Sequence, residues 1–394
     1  MTPQARVQAA IELLDAIIVA ARVGGAAADT LIARYFKERR YAGSKDRRAV
    51  RDLVYATIRL CAEVPATGRA AALTLAEHQP DLAALFDGSA HAPAPISADE
   101  ERASSGAVPS WLLLPLADPV QDAAEQAALL ERAPLDLRVN TLKAHPEQLR
   151  GLLPDAEPIA GLPNALRLHD NTNVEQSPAY TDGLIEIQDA GSQIIVQACA
   201  AAPGMTVIDL CAGAGGKTLA LAADMAGQGR LIAADVNRDR LSRLPDRAAR
   251  AGAGFIETLL LDAGREAAAL APHEQSADVV LVDAPCSGTG TWRRNPEARW
   301  RLTEDRLGRL VNEQSRILDL AVPLVRPGGR LVYAVCALTS AEGTGQVDAF
   351  LARHSGWRAL DPGIEYGRKY GEGRLLTPAH DGTDGFFIAA LVRI

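Results

Sequence analysis

VIDLCAGAGGKT, from Val207 to Thr218, is a short β-branched and apolar run that passes into a glycine-rich turn and then a helix start. A buried strand followed by such a turn delivers a ligand to a helix N-terminus at the carboxyl edge of a parallel sheet. Gly213, Gly215 and Gly216 predict a backbone that takes up positive φ and allows close approach of a ligand. A nucleoside triphosphate would require a Walker loop, but Cys211 stands where the first glycine of that loop belongs. A dinucleotide would require GxGxxG, whereas the order here is GxGG. A third ligand, S-adenosylmethionine, carries no phosphates and needs only the close backbone.

Outward from this loop the pattern alternates. Short β-branched runs (Thr206–Leu210, Leu231–Asp235, Ile256–Leu261, Val279–Asp283, Arg330–Val335) are separated by helical runs (Leu219–Met225, Arg238–Arg250, Arg306–Val325, Glu342–His354). Alternation of this kind predicts βαβ units and an α/β fold with a mostly parallel sheet. Three of the strands end in acids. Asp235 lies about twenty residues beyond the loop, where a carboxylate can accept from ribose hydroxyls. Asp262 is placed for an adenine amino group, and Asp283 ends the next strand. Any one of these alone reads as a cap or turn residue; three in succession favour a cofactor site.

The N-terminal part reads differently. From Arg6 to about Leu85 apolar residues recur at helical spacing (Ile11, Leu14, Ile18, Ala21; then Val50, Leu53, Val54, Ile58), which predicts an all-α region. A basic run of Arg34, Lys37, Arg39, Arg40, Lys45, Arg47, Arg48 and Arg51 lies within it. That run is either a solvated helix face or a phosphate-contacting patch. Residues 88–107, rich in Ala, Ser, Pro and acids, read as a linker, and a helical segment is expected from Pro109 to Glu131. Pro134–Lys143 and Ala165–His169 read as strands of a small α+β unit. The expected divisions are therefore 1–130, 131–200 and 201–394.

With 48% hydrophobic and 23% charged residues among 394, the chain has the makeup of a globular protein. A net charge of −8 excludes a generally basic nucleic-acid binder, so any RNA contact must use local patches. The most apolar early stretch, Ala9–Val23, carries Glu12 and Asp15 and is too short to span a bilayer. No membrane role is expected, and no obligate protein partner is evident.

Five cysteines, with no CxxC pair, suggest neither a disulfide framework nor a metal site, and a reduced cytoplasmic setting is expected. Two of them stand at strand ends. DAPCSGTG (Asp283–Gly290) places Cys286 at one, and LVYAVCAL (Leu331–Leu338) places Cys336 at the next, so both thiols should face the cofactor loop. Carbon 5 of a pyrimidine is a poor nucleophile. A thiolate that adds to carbon 6 turns the ring into an enamine-like species that can take a methyl group from a sulfonium donor, after which sulfur and the carbon 5 proton leave. Such a reaction needs a thiolate and an unstacked base. The competing reading of any single cysteine is a buried structural one; Cys61 and Cys199 are assigned to it.

At these residues the chain resembles the RsmB/Sun (Fmu) branch of the RNA 5-methylcytosine methyltransferases, a family that includes the NOP/NSUN proteins. LRVNTLK (Leu137–Lys143), IQDAGSQ (Ile187–Gln193), CAGAGGK (Cys211–Lys217), DAPCSGTG and DGTDGFF (Asp381–Phe387) carry the resemblance. The helical N-terminus is more weakly similar to the NusB-like RNA-binding domain of that branch. The resemblance implies a Rossmann-like class I methyltransferase domain using S-adenosyl-L-methionine. Cys211, Ala212, Gly213, Ala214, Gly215, Gly216 and Lys217, with Asp235, Asp262 and Asp283, would bind the cofactor. Cys336 would be the nucleophile and Cys286 would assist release. Asp283 would also hydrogen-bond the base, with Lys217 near the site. Arg293 and Arg294 would meet the RNA backbone, unless they are ordinary surface arginines; Arg47 and Arg48 are further RNA-binding candidates. The implied substrate is RNA, in particular small-subunit ribosomal RNA.

The chain departs from the family in two places. Val335-Cys336-Ala337 replaces the usual Thr-Cys-Ser, losing two hydroxyls, and Glu342-Gly343 replaces the usual Glu-Asn. Three other readings stay open. One is a methyltransferase acting on transfer RNA. Another is a DNA cytosine methyltransferase, which would use Cys286. The third is a non-catalytic RNA-binding or ribosome assembly factor.

Overall fold

The computed structural model describes residues 1–149, 151–169 and 173–394. They form two compact units, Met1–Glu131 with Thr291–Glu304, and Arg132–Gly290 with Asp305–Ile394.

The first unit is built on helices α1 (Pro3–Val23), α2 (Ala28–Glu38), α3 (Ser44–Leu60) and α4 (Gly68–His78). Thr2 and Thr67 cap α1 and α4, each side chain accepting from a backbone amide three residues on. Leu14, Ile18 and Ala21 are buried together with Val50, Val54 and Ile58, whereas Ile11 is buried in a second cluster with Val7, Leu73 and Phe86. Close packing of α1 on α4 needs Gly68, where a Cβ would meet the Ile11 carbonyl oxygen at 2.4 Å.

The segment Thr291–Glu304 belongs to this helical unit, although the sequence pattern assigned it to the region 201–394. Trp300 joins the apolar core and donates from Nε1 to the Cys61 carbonyl (2.9 Å). The buried Arg299 guanidinium donates to the carbonyls of Ile58, Arg59 (2.7 Å) and Ala107 (2.6 Å). Two of those carbonyls sit in the last turn of α3, where helical carbonyls have no partner of their own. The expected helix from Pro109 to Glu131 is instead three short pieces, Ser110–Leu112, Asp118–Gln121 and Ala123–Ala128. Pro109, Pro115 and Pro119 each remove an amide donor and prevent a continuous helix.

The second unit holds two sheets. A small antiparallel sheet contains β1 (Leu135–Val139), β2 (Glu157–Ile159), β3 (Leu162–Leu168) and β4 (Ile185–Ile187), in the order β2-β3-β1-β4. Apart from Glu131, the region 131–200 thus lies inside the second unit. The large sheet contains β5 (Thr206–Asp209), β6 (Arg230–Asp235), β7 (Glu257–Leu260), β8 (Ala277–Asp283), β9 (Val325–Val335), β10 (Trp357–Leu360), β11 (Arg368–Tyr370), β12 (Gly373–Leu376) and β13 (Phe386–Arg393).

Its order is β11-β12-β13-β9-β8-β5-β6-β7, with β10 paired to β13. The strands from β9 through β7 run parallel, and the C-terminal strands add antiparallel partners. The chain passes from β5 to β6 and β7 on one side, then returns to β8 and β9 on the other. The carboxyl ends of β5 and β8 therefore flank the topological switch point, the usual ligand crevice of such sheets. Helices over Gly216–Asp224 and Ala190–Cys199 cover the sheet through a continuous apolar core. The single helix expected over Arg238–Arg250 is two, Arg238–Leu241 and Leu244–Ala251, because Pro245 opens the second.

Candidate active site

The glycine loop follows β5. Gly213 and Gly215 take positive φ (57° and 84°), whereas Gly216 is the first helical residue and does not. A Cβ at Gly215 would lie 2.2 Å from Leu244 Cδ1, and one at Gly213 would lie 2.4 Å from an Arg240 guanidinium nitrogen. A Cβ at Gly216 would meet nothing within 4 Å. One side of the loop is packed and the other is clear.

Several side chains hold the loop in place. The buried Asp235 ends β6 and accepts from the amides of Gly213 (2.7 Å) and Asn237 (2.6 Å). Arg247 donates to the Ala214 carbonyl (2.7 Å) and to the buried Glu186. Gln188 donates to the Gly216 carbonyl (3.1 Å) and accepts from Arg138 Nε (2.7 Å). Asp262 lies two residues beyond β7, is exposed, and its carbonyl accepts from the Arg265 amide in a turn. Cys211 is partly exposed, and burial pushes its thiol pKa well above the usual value, helped by Asp209 and Asp283.

At the neighbouring strand ends the two expected thiols meet. Cys286 Sγ and Cys336 Sγ are 3.2 Å apart, and both are partly exposed. Lys217 Nζ and Asp283 Oδ2 form an ion pair of 2.6 Å. Burial opposes the Lys217 charge, but the carboxylates of Asp283 and Asp189 outweigh it and hold the ammonium protonated above its ordinary range. The Cys286 thiol is raised well above the usual value by its hydrogen bond with Cys336 and by burial. Either sulfur of the pair can donate to the other.

The loops carrying these cysteines are tied together by residues the sequence reading left out of the site. The fully buried Glu342 accepts from the Ser287 amide (2.7 Å), the Ser287 hydroxyl (2.5 Å), the Thr339 hydroxyl (2.8 Å) and Gln314 Nε2 (3.0 Å). Thr289 Oγ1 accepts from the Leu338 amide (2.7 Å), and the Gly290 amide donates to the Cys336 carbonyl (3.1 Å). The sequence signals for Glu342 were its place as the retained Glu of the family's usual Glu-Asn pair and a charged residue soon after an apolar strand. A second omission, Asp209, was visible as an acid inside the buried run VID.

Of the RNA candidates, Arg47 and Arg48 are exposed and line a groove of about 340 Å³ with Asp29, Ile32, Phe36 and Arg51. Arg294 is exposed, whereas Arg293 is buried. Cys61 and Cys199 are buried, and burial raises the Cys61 thiol to about 11.

A model of the 16S rRNA methyltransferase RsmB/F family matches residues 196–392. The chain is 34% identical over 312 residues to a probable ribosomal RNA small subunit methyltransferase B of Synechocystis sp., covering 74% of this chain and 69% of that protein. It is 36% identical over 291 residues to the ribosomal RNA small subunit methyltransferase B of Salmonella arizonae, covering 72% and 66%. The matches thus span about two thirds of the length of these relatives. Among solved structures, PH0851 superposes with a TM-score of 0.77 at 24% identity over 100% and 99% of the two chains. A methyltransferase homologue from Pyrococcus horikoshii does so with a TM-score of 0.63 at 26% identity over 72% and 93%. With a family model spanning the glycine loop and both thiols, the chain belongs to the 16S rRNA methyltransferase RsmB/F family.

Proposed function

We propose that this chain transfers a methyl group from S-adenosylmethionine to carbon 5 of a cytidine in small-subunit ribosomal RNA, through a covalent adduct on Cys336. The observation that carries the reading is the pair of sulfurs 3.2 Å apart at the ends of adjacent parallel strands, beside a glycine loop.

The loop fits the methyl donor, because its clear side at Gly216 leaves room for a ligand while Gly213 and Gly215 are packed from behind. Cys211 to Lys217, with Asp235, Asp262 and Asp283, would hold that donor. When bound, it supplies an electrophilic methyl group.

The protein's own residues do the rest. The Cys336 thiolate adds to carbon 6, and a sulfur–carbon bond forms as electron density moves to carbon 5. Lys217 supplies positive charge to a cleft in which a thiolate must form. Asp283 gives Oδ2 to Lys217 and uses Oδ1 to accept from the exocyclic amino group of the base. After methylation, Cys286 serves in the proton transfers that let the carbon 5 proton leave and the Cys336 sulfur depart. Arg47, Arg48 and Arg294, all exposed, would meet phosphates; Arg293, being buried, would act by supporting its own segment.

Labelled methyl transfer to ribosomal RNA tests this reading. Cys336→Ala should lower transfer on the order of a thousandfold or more. Cys286→Ala should instead accumulate a slow-migrating protein–RNA adduct on a denaturing gel. Transfer by Cys336→Ala at the wild-type rate would remove the nucleophile, and absence of the adduct would remove the release role of Cys286.

A further inference from the structure

Glu342 is fully buried, yet it is not paired with a cation among the described residues. Its carboxylate takes four hydrogen bonds instead, and all come from the two thiol-bearing loops or from a residue that braces them. Two come from Ser287, directly after Cys286, and one from Thr339, three residues after Cys336. The fourth comes from Gln314, whose Nε2 also donates to the carbonyl of Pro285, directly before Cys286 (3.0 Å). The main chain of Glu342 is fixed too, since its carbonyl accepts from the buried Tyr333 hydroxyl (2.7 Å). A carboxylate with its lone pairs turned toward four donors in a dry interior is a rigid, directional junction.

From this geometry we propose that Glu342 is a positioning residue that sets the separation of the Cys286 and Cys336 sulfurs by bolting one loop to the other. The assignment rests on the two-thiol reading above, but its test does not depend on methyl transfer. Two sulfurs already 3.2 Å apart need move only about 1.2 Å to reach the disulfide length of about 2.05 Å. Diamide drives that closure: the sulfur–sulfur bond forms, both thiol protons and two electrons pass to the diazene, and a hydrazine results. The rate of closure therefore reports how the two loops are held.

In full-length protein treated with diamide, loss of the Cys286 and Cys336 thiols is followed by mass spectrometry of the linked peptides. Glu342→Ala should slow closure about tenfold or more. It should lower kcat for RNA methylation about a hundredfold, with KM and S-adenosylmethionine affinity changed less than about twofold. Glu342→Gln keeps an acceptor for the Ser287 amide and Gln314, and its amide can donate to the two hydroxyl oxygens. It should recover both rates to within about fivefold of wild type. Should Glu342→Ala fail to fold, Ser287→Ala, which removes one donor, should slow closure about threefold. The assignment is overturned if either truncation closes at the wild-type rate or faster, or if Glu342→Gln is as impaired as Glu342→Ala. If closure slows as expected while wild-type protein methylates no RNA, the positioning role stands and the proposed function falls.

Discussion

Asp209 shows how burial and chemistry compete at one residue. It ends β5 with 1% of its surface exposed; Oδ2 accepts from the Thr218 hydroxyl (2.7 Å), and Oδ1 has no hydrogen-bond partner. Burial pushes its pKa up to about 7, with Asp283 and Asp235 adding to the rise and the Thr218 hydroxyl and Lys217 opposing it. An unfolded aspartate titrates near 3.9. The folded protein therefore binds the extra proton between these values. The resulting stability is complete below about pH 4 and is lost as pH rises through about 7, by on the order of 4 kcal/mol. Asp209→Asn should remove this dependence, so that its stability relative to wild type improves from pH 5 to about pH 7 and then levels off up to pH 8.5 in urea titrations. Parallel curves for the two proteins would show that Asp209 does not titrate in that window. At the same scale, Val335 and Ala337 are both fully buried. The hydroxyls that flank this cysteine in the resembled family are thus replaced by apolar groups that pack inward.

At the scale of an element, the glycine loop separates two roles that one residue type can play. Gly215 needs its positive φ and has Leu244 behind it, whereas Gly216 is helical and faces open space. Gly215→Ala should destabilise the fold by about 1–3 kcal/mol from backbone strain, more if Leu244 cannot move. It should weaken S-adenosylmethionine binding along with it. Gly216→Ala should leave the urea midpoint near wild type, since alanine suits a helix start, yet lower cofactor affinity because its methyl group projects to the clear side. Calorimetry and denaturation on the two variants distinguish these outcomes. Equal effects on both measurements would mean the loop does not have a packed and a clear side. The periodicity that revealed β5 to β9 said nothing of β10 to β13. Those strands are short or paired antiparallel at the sheet's flank, and only the four-residue helix Pro378–Asp381, between β12 and β13, interrupts them among the described residues.

The whole molecule carries a net charge of −8, so RNA cannot be drawn by overall charge. Attraction must come from local patches, and the groove lined by Arg47, Arg48 and Arg51 in the helical unit is the candidate. Within the basic run, Arg39 pairs with Glu12 and Arg51 with Asp29, so part of that charge is already matched. Arg47→Glu with Arg48→Glu should weaken ribosomal RNA binding about tenfold and reduce the salt-dependence slope by about one per lost phosphate contact. A slope unchanged from wild type would return both arginines to a solvated helix face. No helix among the described residues is long and apolar enough to cross a membrane.

The sequence by itself determined the chemistry that is local. A strand followed by GxGG, acids at strand ends, two cysteines each after an apolar strand, and a helical basic N-terminus are all written in short windows, where residue type and spacing suffice. Tertiary structure alone decided which of these groups meet. The 3.2 Å between Cys286 and Cys336 spans fifty residues of chain, and it exists because β8 and β9 pair in parallel register. The burial of Glu342 under four donors, the inward turn of Arg293, and the assignment of Arg299 and Trp300 to the helical unit were likewise invisible in sequence. Burial and pairing are properties of the packed whole: a charged residue reads as surface in any window and becomes a structural anchor only when distant segments supply its partners.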